Sequence, residues 1–132
     1  MRLLFDTNVV FDVLERRASH YSASLQMLKL AQHGSVEAAL ASHTIANAFY
    51  KYKRAVIPDL KNRLLHDFEI VCGDSHQVRA SLSLGISDLE DVLQIAAAMA
   101  WKAAFIITRN ERDFKHSPIP ALSPANYLRR FH

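Results

Sequence analysis

The chain has 132 residues, half of them apolar, and this length and composition suit a single domain that buries a substantial core. Its 16 Lys and Arg exceed its 13 Asp and Glu by a mild margin of +3, which would suit a polyanionic partner. No apolar run approaches the roughly 20 residues of a membrane helix, and the first acid comes too early for a secretory segment, so we expect a cytoplasmic protein.

Apolar segments with strand character alternate with segments of helical spacing in the first half of the chain. Gly34 is suited to end a helix, and Pro58 is suited to interrupt another. The predicted elements are, in order, a strand over residues 3–5, a helix through Val9, Val10, Val13 and Leu14, a helix over 22–32, a strand from Val36, and a helix at 44–52.

The second half contains the clearest helix of the sequence, "SDLEDVLQIAAAMAWKA" over residues 87–103. Ser87 is a good N-cap, and the acids Asp88, Glu90 and Asp91 suit the first turns of a helix. The predicted apolar face of this helix consists of Leu89, Val92, Leu93, Ala96 and Met99. The other predicted elements are a strand over 68–72 that Gly73 and Asp74 end, strands over 104–108 and 119–122, and a C-terminal helix from Pro124.

The order of these elements predicts one α/β domain over residues 1–132, with a mainly parallel sheet covered by helices on both faces. Cys72 lies in an apolar strand-like run and has no second cysteine to pair with, so it is expected in the core. Ligands of such sheets bind beyond the carboxyl ends of the strands. Asp6 and Thr108 end the first and fourth strands, and Asn47 can reach the same edge one turn into its helix.

Three acids at or near helix starts admit two interpretations. Asp6 and Asp88 could each cap the helix that follows. Asp91 leads into the most apolar helix, and we interpret it as an acid that faces a cleft. Asp88 and Asp91 are three residues apart and share nearly one helix face. Crowded carboxylates repel one another without a cation, and oxygen ligands favour Mg²⁺ or Mn²⁺ over zinc. The seven His residues show no ligand spacing and are left out of the predicted chemistry.

Basic residues are segregated along the chain, at 51–54, Lys61, Arg63, 108–116, Arg129 and Arg130. Clustered positive charge would suit the phosphates of a nucleic acid. A solvated helix face explains the cluster at 51–63 as well, so both interpretations stay open for that segment.

Three segments stand out by their order and separation, namely "LLFDTNVVFDVL", "LEDVLQIAAA" and "IITRNERDF". Together they resemble the signature segments of PIN-domain nucleases, the fold that includes VapC-type toxin ribonucleases of toxin–antitoxin systems. The resemblance spans nearly the whole chain, to the closing "SPIPALSPANYL". It implies a three-layer α/β/α sandwich, an acidic pocket that binds Mg²⁺ or Mn²⁺, and hydrolysis of RNA phosphodiester bonds.

The resemblance also implies a role for each polar residue of the pocket. Asp6, Asp91 and Asp113 would be catalytic, Asp6, Asp91, Asp88 and Asn110 would hold the metal, and Asn47, Thr108 and Asn8 would support the pocket. The chain departs from the family pattern at Asn47, where most members carry Glu and this sequence resembles a branch with Asn. An amide oxygen can coordinate a cation but brings no charge, so Asp88 or Glu90 would have to supply the missing carboxylate.

For RNA binding, the candidates are the side chains of Arg109, Arg112, Lys51 and Lys53, which would hold the phosphate backbone. Exposed rings at Phe49, Tyr50 or Tyr52 would stack on the bases of single-stranded RNA, with core packing as the favoured alternative for these rings. The resemblance further implies a homodimer and an antitoxin protein that blocks the site.

Two functions of other classes remain as alternatives. A phosphatase of the haloacid dehalogenase type also begins with an Asp after its first strand, but its second acid is expected two residues later, where this chain has Asn8. A catalytically idle PIN-like domain that binds a nucleic acid or a protein is the stronger alternative, because Asn47 weakens the acidic set.

Overall fold

The structure is a computed structural model that describes residues 1–52 and 58–132, and of residues 58–61 only the backbone. Lys53, one of the predicted RNA-binding residues, therefore lies outside the described residues. In the part of the chain that is described, no helix is both long enough and apolar enough to cross a membrane.

The described residues form five strands, seven α-helices and one 3₁₀ helix. The strands are β1 (Arg2–Phe5), β2 (Glu37–Ala41), β3 (Glu69–Val71), β4 (Phe105–Ile107) and β5 (Ala121–Leu122). The helices are α1 (Thr7–Leu14), α2 (Tyr21–Gln32), α3 (Ser42–Lys51), α4 (Pro58–Asp67), α5 (Ser75–Leu82), α6 (Leu89–Trp101) and α7 (Pro124–Phe131), with the 3₁₀ helix at Glu111–Phe114.

All five strands pair in parallel in the order β3-β2-β1-β4-β5, which confirms the predicted α/β fold. The central strand β1 pairs with β2 on one side and with β4 on the other. In this register Phe5, the last residue of β1, lies opposite both Leu40 and Ile107. The residues that follow β1, β2 and β4 consequently emerge next to one another at one edge of the sheet.

Alternate side chains of the strands contribute to two separate hydrophobic clusters, one on each face of the sheet. Leu3 and Phe5 of β1 pack with residues of α1, α2 and α7, whereas Leu4 packs with residues of α6. The period of two residues in a strand explains this alternation, and burial on both faces explains why the strands are almost wholly apolar. Helices therefore cover both faces, as the predicted sandwich requires.

Two helices and the 3₁₀ helix were not predicted from the sequence. The proline that was expected to interrupt a helix, Pro58, instead begins α4, and this position tolerates proline because its missing N–H has no partner in the first turn. Helix α5 begins with a capping box in which Asp74 and Gln77 exchange hydrogen bonds. Its apolar residues are too few for their spacing to stand out in the sequence.

Three details of the prediction were wrong. The N-cap of α6 is Asp88 and not Ser87, because the Asp88 carboxylate accepts the backbone N–H groups of Glu90 and Asp91. Cys72 is exposed, since it follows β3 at the outer edge of the sheet. Leu89 is 59% exposed and does not lie on the buried face of α6. The helix is instead fully buried over residues 94–98, where it packs between the sheet and α5.

Gly73 brings the end of β3 into close contact with α6. A Cβ atom at this position would lie 2.6 Å from the Cβ of Ala96 and 3.0 Å from its carbonyl carbon and oxygen. Only a residue without a side chain allows the backbone to approach the helix this closely. The contact helps to set the position of α6, which carries Asp91 in its first turn.

We expect Gly73→Ala to lower the free energy of unfolding by roughly 1 to 3 kcal/mol, because the added methyl group overpacks against the backbone of α6. Chemical denaturation of the variant and the wild type measures this difference. The neighbouring substitution Cys72→Ser is the control, since an exposed side chain should change stability by less than about 0.5 kcal/mol. A Gly73→Ala protein as stable as the control would contradict the close contact.

Candidate functional site

Asp6 is a nearly buried carboxylate at the carboxyl end of the central strand β1, with 7% of its surface exposed. One carboxylate oxygen accepts the backbone N–H of Thr7 at 2.8 Å, and Asp6 is the N-cap of α1. The other accepts the hydroxyl of Thr108 at 2.8 Å. The capping interpretation is therefore confirmed, but a cap alone needs no burial and no second partner.

Thr108 joins the ends of β1 and β4. Its buried hydroxyl donates to Asp6 and accepts the backbone N–H of Asn110 at 3.1 Å. The backbone N–H of Asp6 in turn donates to the carbonyl of Ile107 at 2.8 Å. These bonds hold the Asp6 carboxylate and the turn that leads to the 3₁₀ helix in one arrangement.

The start of α6 supplies a second group of acids. Asp88 caps the helix by accepting the N–H groups of Glu90 at 2.8 Å and Asp91 at 3.3 Å with one carboxylate oxygen, which confirms the capping alternative for this residue. Asp91 is half-buried in the first turn of the helix. Asp113, on the 3₁₀ helix, is exposed.

The pKa values of Asp6 and Asp91 respond to the charges of several other acids, so these acids lie in one region. Burial raises the pKa of Asp6 to about 6, although the bonds from Thr108 and Thr7 oppose the rise, and the charges of Glu90 and Asp113 raise it further. Burial also raises the pKa of Asp91 to about 7, with added repulsion from Asp88, Asp6, Asp113 and Glu90. Asp6, Asp88, Glu90, Asp91 and Asp113 are thus close enough for their charges to interact at the carboxyl end of the sheet, and we refer to this group of residues as the acidic pocket.

The donor set of this acidic pocket fits a hard divalent cation. Its atoms are carboxylate oxygens, and the repulsion among them is the kind that a cation relieves. Among the side chains of residues 1–52 and 62–132, however, no three His, Cys, Asp or Glu are arranged closely enough to hold a metal ion. The acids are near enough to affect one another's pKa, but binding would need their side chains to move closer together.

Asn47 lies at the edge of the acidic pocket, where its side-chain amide donates to a carboxylate oxygen of Glu90 at 3.1 Å. The amide therefore connects α3 to the first turn of α6. Asn8 lies on the other side of Asp6, and its side-chain oxygen accepts the backbone N–H of Arg109 over a long 3.4 Å. Asn110 is exposed between β4 and the 3₁₀ helix.

A buried polar cluster that was not predicted from the sequence supports the acidic pocket. The hydroxyls of Thr7 and Thr44 share a hydrogen bond of 2.7 Å, and the side-chain amide of Gln94 donates to both, at 3.2 and 3.1 Å. The cluster joins α1, α3 and α6. A Gln within the most apolar helix of the chain, one turn after Glu90 and Asp91, was the signal that could have pointed to it.

Two of the predicted RNA-binding residues are engaged outside the acidic pocket. The guanidinium of Arg109 lies in an ion pair with the fully buried Asp12, 3.2 Å from Nε to Oδ2, although the geometry is not that of a hydrogen bond. Arg109 also lines a cavity of about 250 Å³ between the starts of α2 and α7. Lys51 forms an ion pair with Glu15, and hydrogen bonds from Lys51 and Tyr52 lower the pKa of Glu15 to about 2.

The remaining candidates for RNA binding differ in exposure. Arg112 is exposed on the 3₁₀ helix, beside the acids.

The three aromatic rings at the end of α3 differ in their packing. Tyr52 packs edge-on against Phe11 and donates its hydroxyl to Glu15, as the packing alternative predicted. Tyr50 is 76% exposed and Phe49 is 37% exposed, so core packing is wrong for these two rings. The last residues of α3 are therefore exposed, which the sequence pattern did not indicate.

Comparison with known proteins identifies one family and several similar solved structures. The family model described as PIN domain matches residues 2–112. No curated protein is similar enough in sequence to match the chain.

The solved structures that are similar include the VapBC2 complex from Rickettsia felis bound to a promoter DNA fragment, at 20% identity and a TM-score of 0.64 over 93% of this chain and 98% of that one. A toxin–antitoxin complex from Klebsiella pneumoniae is 23% identical, with a TM-score of 0.68 over 92% and 97%. FitAcB from Neisseria gonorrhoeae is 16% identical, with a TM-score of 0.63 over 93% and 98%. Likeness at these identities shows that the fold is shared.

We expect Asp91→Asn, measured without divalent cations, to become more stable relative to wild type as the pH rises from about 4 to about 7. The raised pKa of Asp91, about 7 against an ordinary 3.8, means that the folded state favours the protonated acid, so wild type loses stability as the pH rises through this range. The asparagine does not ionise and escapes that loss. Urea denaturation in EDTA at several pH values measures the difference.

The control for this experiment is Glu69→Gln, which removes an exposed acid on β3. Its stability relative to wild type should not follow the same rise between pH 4 and 7. If Asp91 instead serves only to interact with the helix dipole, Asp91→Asn should be less stable than wild type at pH 7 by about 0.5 kcal/mol. That result would remove Asp91 from the acidic pocket.

Proposed function

The chain belongs to the PIN domain family, and on that premise we propose that it is a metal-dependent endoribonuclease that hydrolyses phosphodiester bonds of single-stranded RNA. Members of this family are typically nucleases and generally depend on metal ions. The observation that carries the proposal is the acidic pocket, in which burial and mutual repulsion raise the pKa values of Asp6 and Asp91. Carboxylates that are buried and repel one another lower the stability of the folded protein, and a bound cation relieves this repulsion.

Each acid has a distinct role in the proposed reaction. Asp6 and Asp91 would be the main ligands of Mg²⁺ or Mn²⁺, with Asn110 and Asp88 as further oxygen donors. The bound cation would supply positive charge at the scissile phosphate and lower the pKa of the attacking water. Thr108 and the N–H of Thr7 fix the orientation of Asp6. Asp113 is exposed next to these acids, so it is the carboxylate assigned to orient the water and take up its proton.

The RNA backbone would bind Arg112, beside the acidic pocket, and would extend from there to the positive residues at the end of α3. Arg112 is exposed on the same 3₁₀ helix as Asp113, whereas Lys51 ends α3 and Lys53 follows it in the sequence. The exposed ring of Tyr50 would stack on an unpaired base, which favours a single-stranded substrate. Arg109 would act from its ion pair with Asp12, by holding the turn after Thr108.

The biological setting we propose is that of a toxin in a cytoplasmic toxin–antitoxin pair. The support is structural, since the similar folds include a toxin–antitoxin complex and VapBC2. In this setting residues 1–132 would act as one domain, assemble as a homodimer, and be inhibited by an antitoxin protein that covers the acidic pocket.

A second candidate function is that of an idle PIN-like domain that binds nucleic acid or protein without cleaving it. Two observations favour it. Asn47 brings no charge to the acidic pocket, and among the described residues no three acids lie close enough to hold one ion. The two functions differ in one measurable property, which is cleavage that depends on a cation.

We expect wild-type protein to cleave single-stranded RNA in the presence of Mn²⁺ and both Asp6→Asn and Asp91→Asn to lose at least about 100-fold in rate. Loss of a residue that only orients a metal ligand already costs about 10- to 100-fold, and these residues would be ligands themselves. A gel assay with a labelled oligonucleotide measures the rates, with Glu69→Gln as the matched control of unchanged activity. Binding of the oligonucleotide without cleavage by wild type would favour the idle domain.

Cation binding should also be visible without any substrate. At ten to a hundred times its dissociation constant, Mg²⁺ or Mn²⁺ should stabilise wild type by roughly 1.4 to 2.7 kcal/mol, because it binds only the folded state. For a domain of this length the melting temperature should rise on the order of 4 to 10 °C. Thermal melts of Asp91→Asn should show little of this rise. A full shift in the variant would exclude Asp91 as a ligand.

A further inference from the structure

The cavity of about 250 Å³ between the starts of α2 and α7 lies outside the acidic pocket. None of the described residues that line it is an acid, and Arg109 is the one among them with a permanent charge. Ser19, Ser123 and His20 also line the cavity. It therefore combines a positive charge with groups that form hydrogen bonds, which is the character of a site for an anion.

The guanidinium of Arg109 has donors left for a ligand. A guanidinium carries five N–H donors. Its Nε lies 3.2 Å from Oδ2 of Asp12 but is buried without a hydrogen-bond partner, and no hydrogen bond joins the Arg109 side chain to any other described residue. Buried donors without acceptors cost free energy, so this group gains from a ligand that accepts several N–H bonds at once.

The charge of Arg109 is not fully offset by the residues around it. Asp12 is fully buried and lies 3.4 Å from Nη1 of Arg17 as well as beside Arg109. Arg17 also pairs with Glu15, and Glu15 pairs with Lys51. Two acids in this group thus face three cations, and the surplus positive charge lies in a group that borders the cavity through Arg109.

The start of α2 brings backbone donors to the same cavity. Its N-cap residue, His20, makes no capping hydrogen bond with its side chain. The N–H groups of the first turn, which includes the cavity-lining Ala23, therefore lack the partner that a cap usually provides, and the start of a helix favours an anion. On the other wall, Ser123 caps α7 and Glu111 accepts the backbone N–H of Ser123, so α7 offers fewer donors.

Arg109 connects this cavity with the acidic pocket. It follows Thr108, whose hydroxyl donates to Asp6, and its own backbone N–H donates to Asn8. A ligand of Arg109 is therefore held by the same turn that fixes Asp6, next to the acids but outside them. Because a nucleic acid strand carries a phosphate at every nucleotide, one strand can present one phosphate to the acids and another to Arg109.

We propose that this cavity is a phosphate-binding site, in which the guanidinium of Arg109 and the first turn of α2 hold a second phosphate group of the RNA strand. The inference rests on the proposed function for the identity of the strand, to which it adds a contact outside the acidic pocket. Phosphate suits the site because its oxygens can accept the planar fork of an arginine and backbone N–H groups together. Free inorganic phosphate has the same chemistry, so both ligands are tested.

Binding of a fluorescently labelled single-stranded RNA in EDTA, measured by fluorescence anisotropy, tests the site without cleavage. We expect Ala23→Asp to weaken binding by about 10-fold or more, because its carboxylate repels the phosphate and removes hydrogen bonds to a charged group. This change leaves the ion pair of Arg109 with Asp12 in place, and an acid suits the first turn of a helix. Ser75→Asp adds the same charge to the first turn of α5, which packs against α6, and should bind RNA like wild type.

The salt dependence of RNA binding tests Arg109 itself. Each phosphate contact to a single strand contributes about −0.7 to the slope of the logarithm of affinity against the logarithm of salt concentration. Arg109→Gln should therefore weaken binding about 10- to 100-fold and make the slope shallower by about 0.7, whereas Arg109→Lys should keep the slope. A purely structural role of Arg109 would leave the slope unchanged. Thermal unfolding in EDTA shows whether each variant is folded, and Ala23→Asp decides the test if the Arg109 variants are not.

Calorimetry with inorganic phosphate separates the two sources of the ligand. If Ala23→Asp binds inorganic phosphate more weakly than wild type does but binds RNA equally well, the cavity takes a free anion and its assignment to the RNA strand is overturned. If Ala23→Asp binds RNA and inorganic phosphate like wild type, the phosphate site itself is overturned. Neither result alters cation-dependent cleavage, which tests the proposed function. A wild type that binds RNA through the cavity without cleaving it would contradict the proposed function and leave the phosphate site standing.

Discussion

The rest of the structure depends on parallel pairing of the central strand with a neighbour on each side. Because β1 lies between β2 and β4 in parallel register, the residues that follow all three strands emerge at the same edge. Asp6 and Thr108 are 102 residues apart in sequence and yet lie in hydrogen-bond contact there. The acidic pocket is therefore a consequence of strand order, since no single segment of the chain carries more than part of it.

Holding acids in this position has a stability cost that local bonds only partly offset. Asp6 receives hydrogen bonds from Thr7 and Thr108, and its pKa still rises to about 6 because burial outweighs them. No hydrogen bond contributes to the pKa of Asp91, and burial together with repulsion from the other acids raises it to about 7. The fold keeps these side chains where their charge is disfavoured, which is the arrangement expected where a cation or a proton is to be bound.

The helices around the acidic pocket are joined by polar contacts that lie beneath the acids. Thr7, Thr44 and Gln94 link α1, α3 and α6 in a buried cluster, and the contact of Asn47 with Glu90 lies above it. On the far side of Asp6, Arg109 and Asp12 join the turn after β4 to α1. Buried polar clusters favour one arrangement of the helices, because another packing would lose the hydrogen bonds that Thr7, Thr44 and Gln94 make with one another.

The sequence by itself determined what depends on local pattern. Apolar strands in alternation with helices predicted the parallel sheet, and the ends of those segments placed Asp6 after β1 and Asp91 in the first turn of α6. Tertiary structure alone decided which neighbours those residues meet. Asn47 faces Glu90, Arg109 faces Asp12, and Cys72 is exposed because β3 lies at the edge of the sheet. Periodicity records which side of an element is buried, whereas strand order and contacts between distant helices depend on packing that no local segment contains.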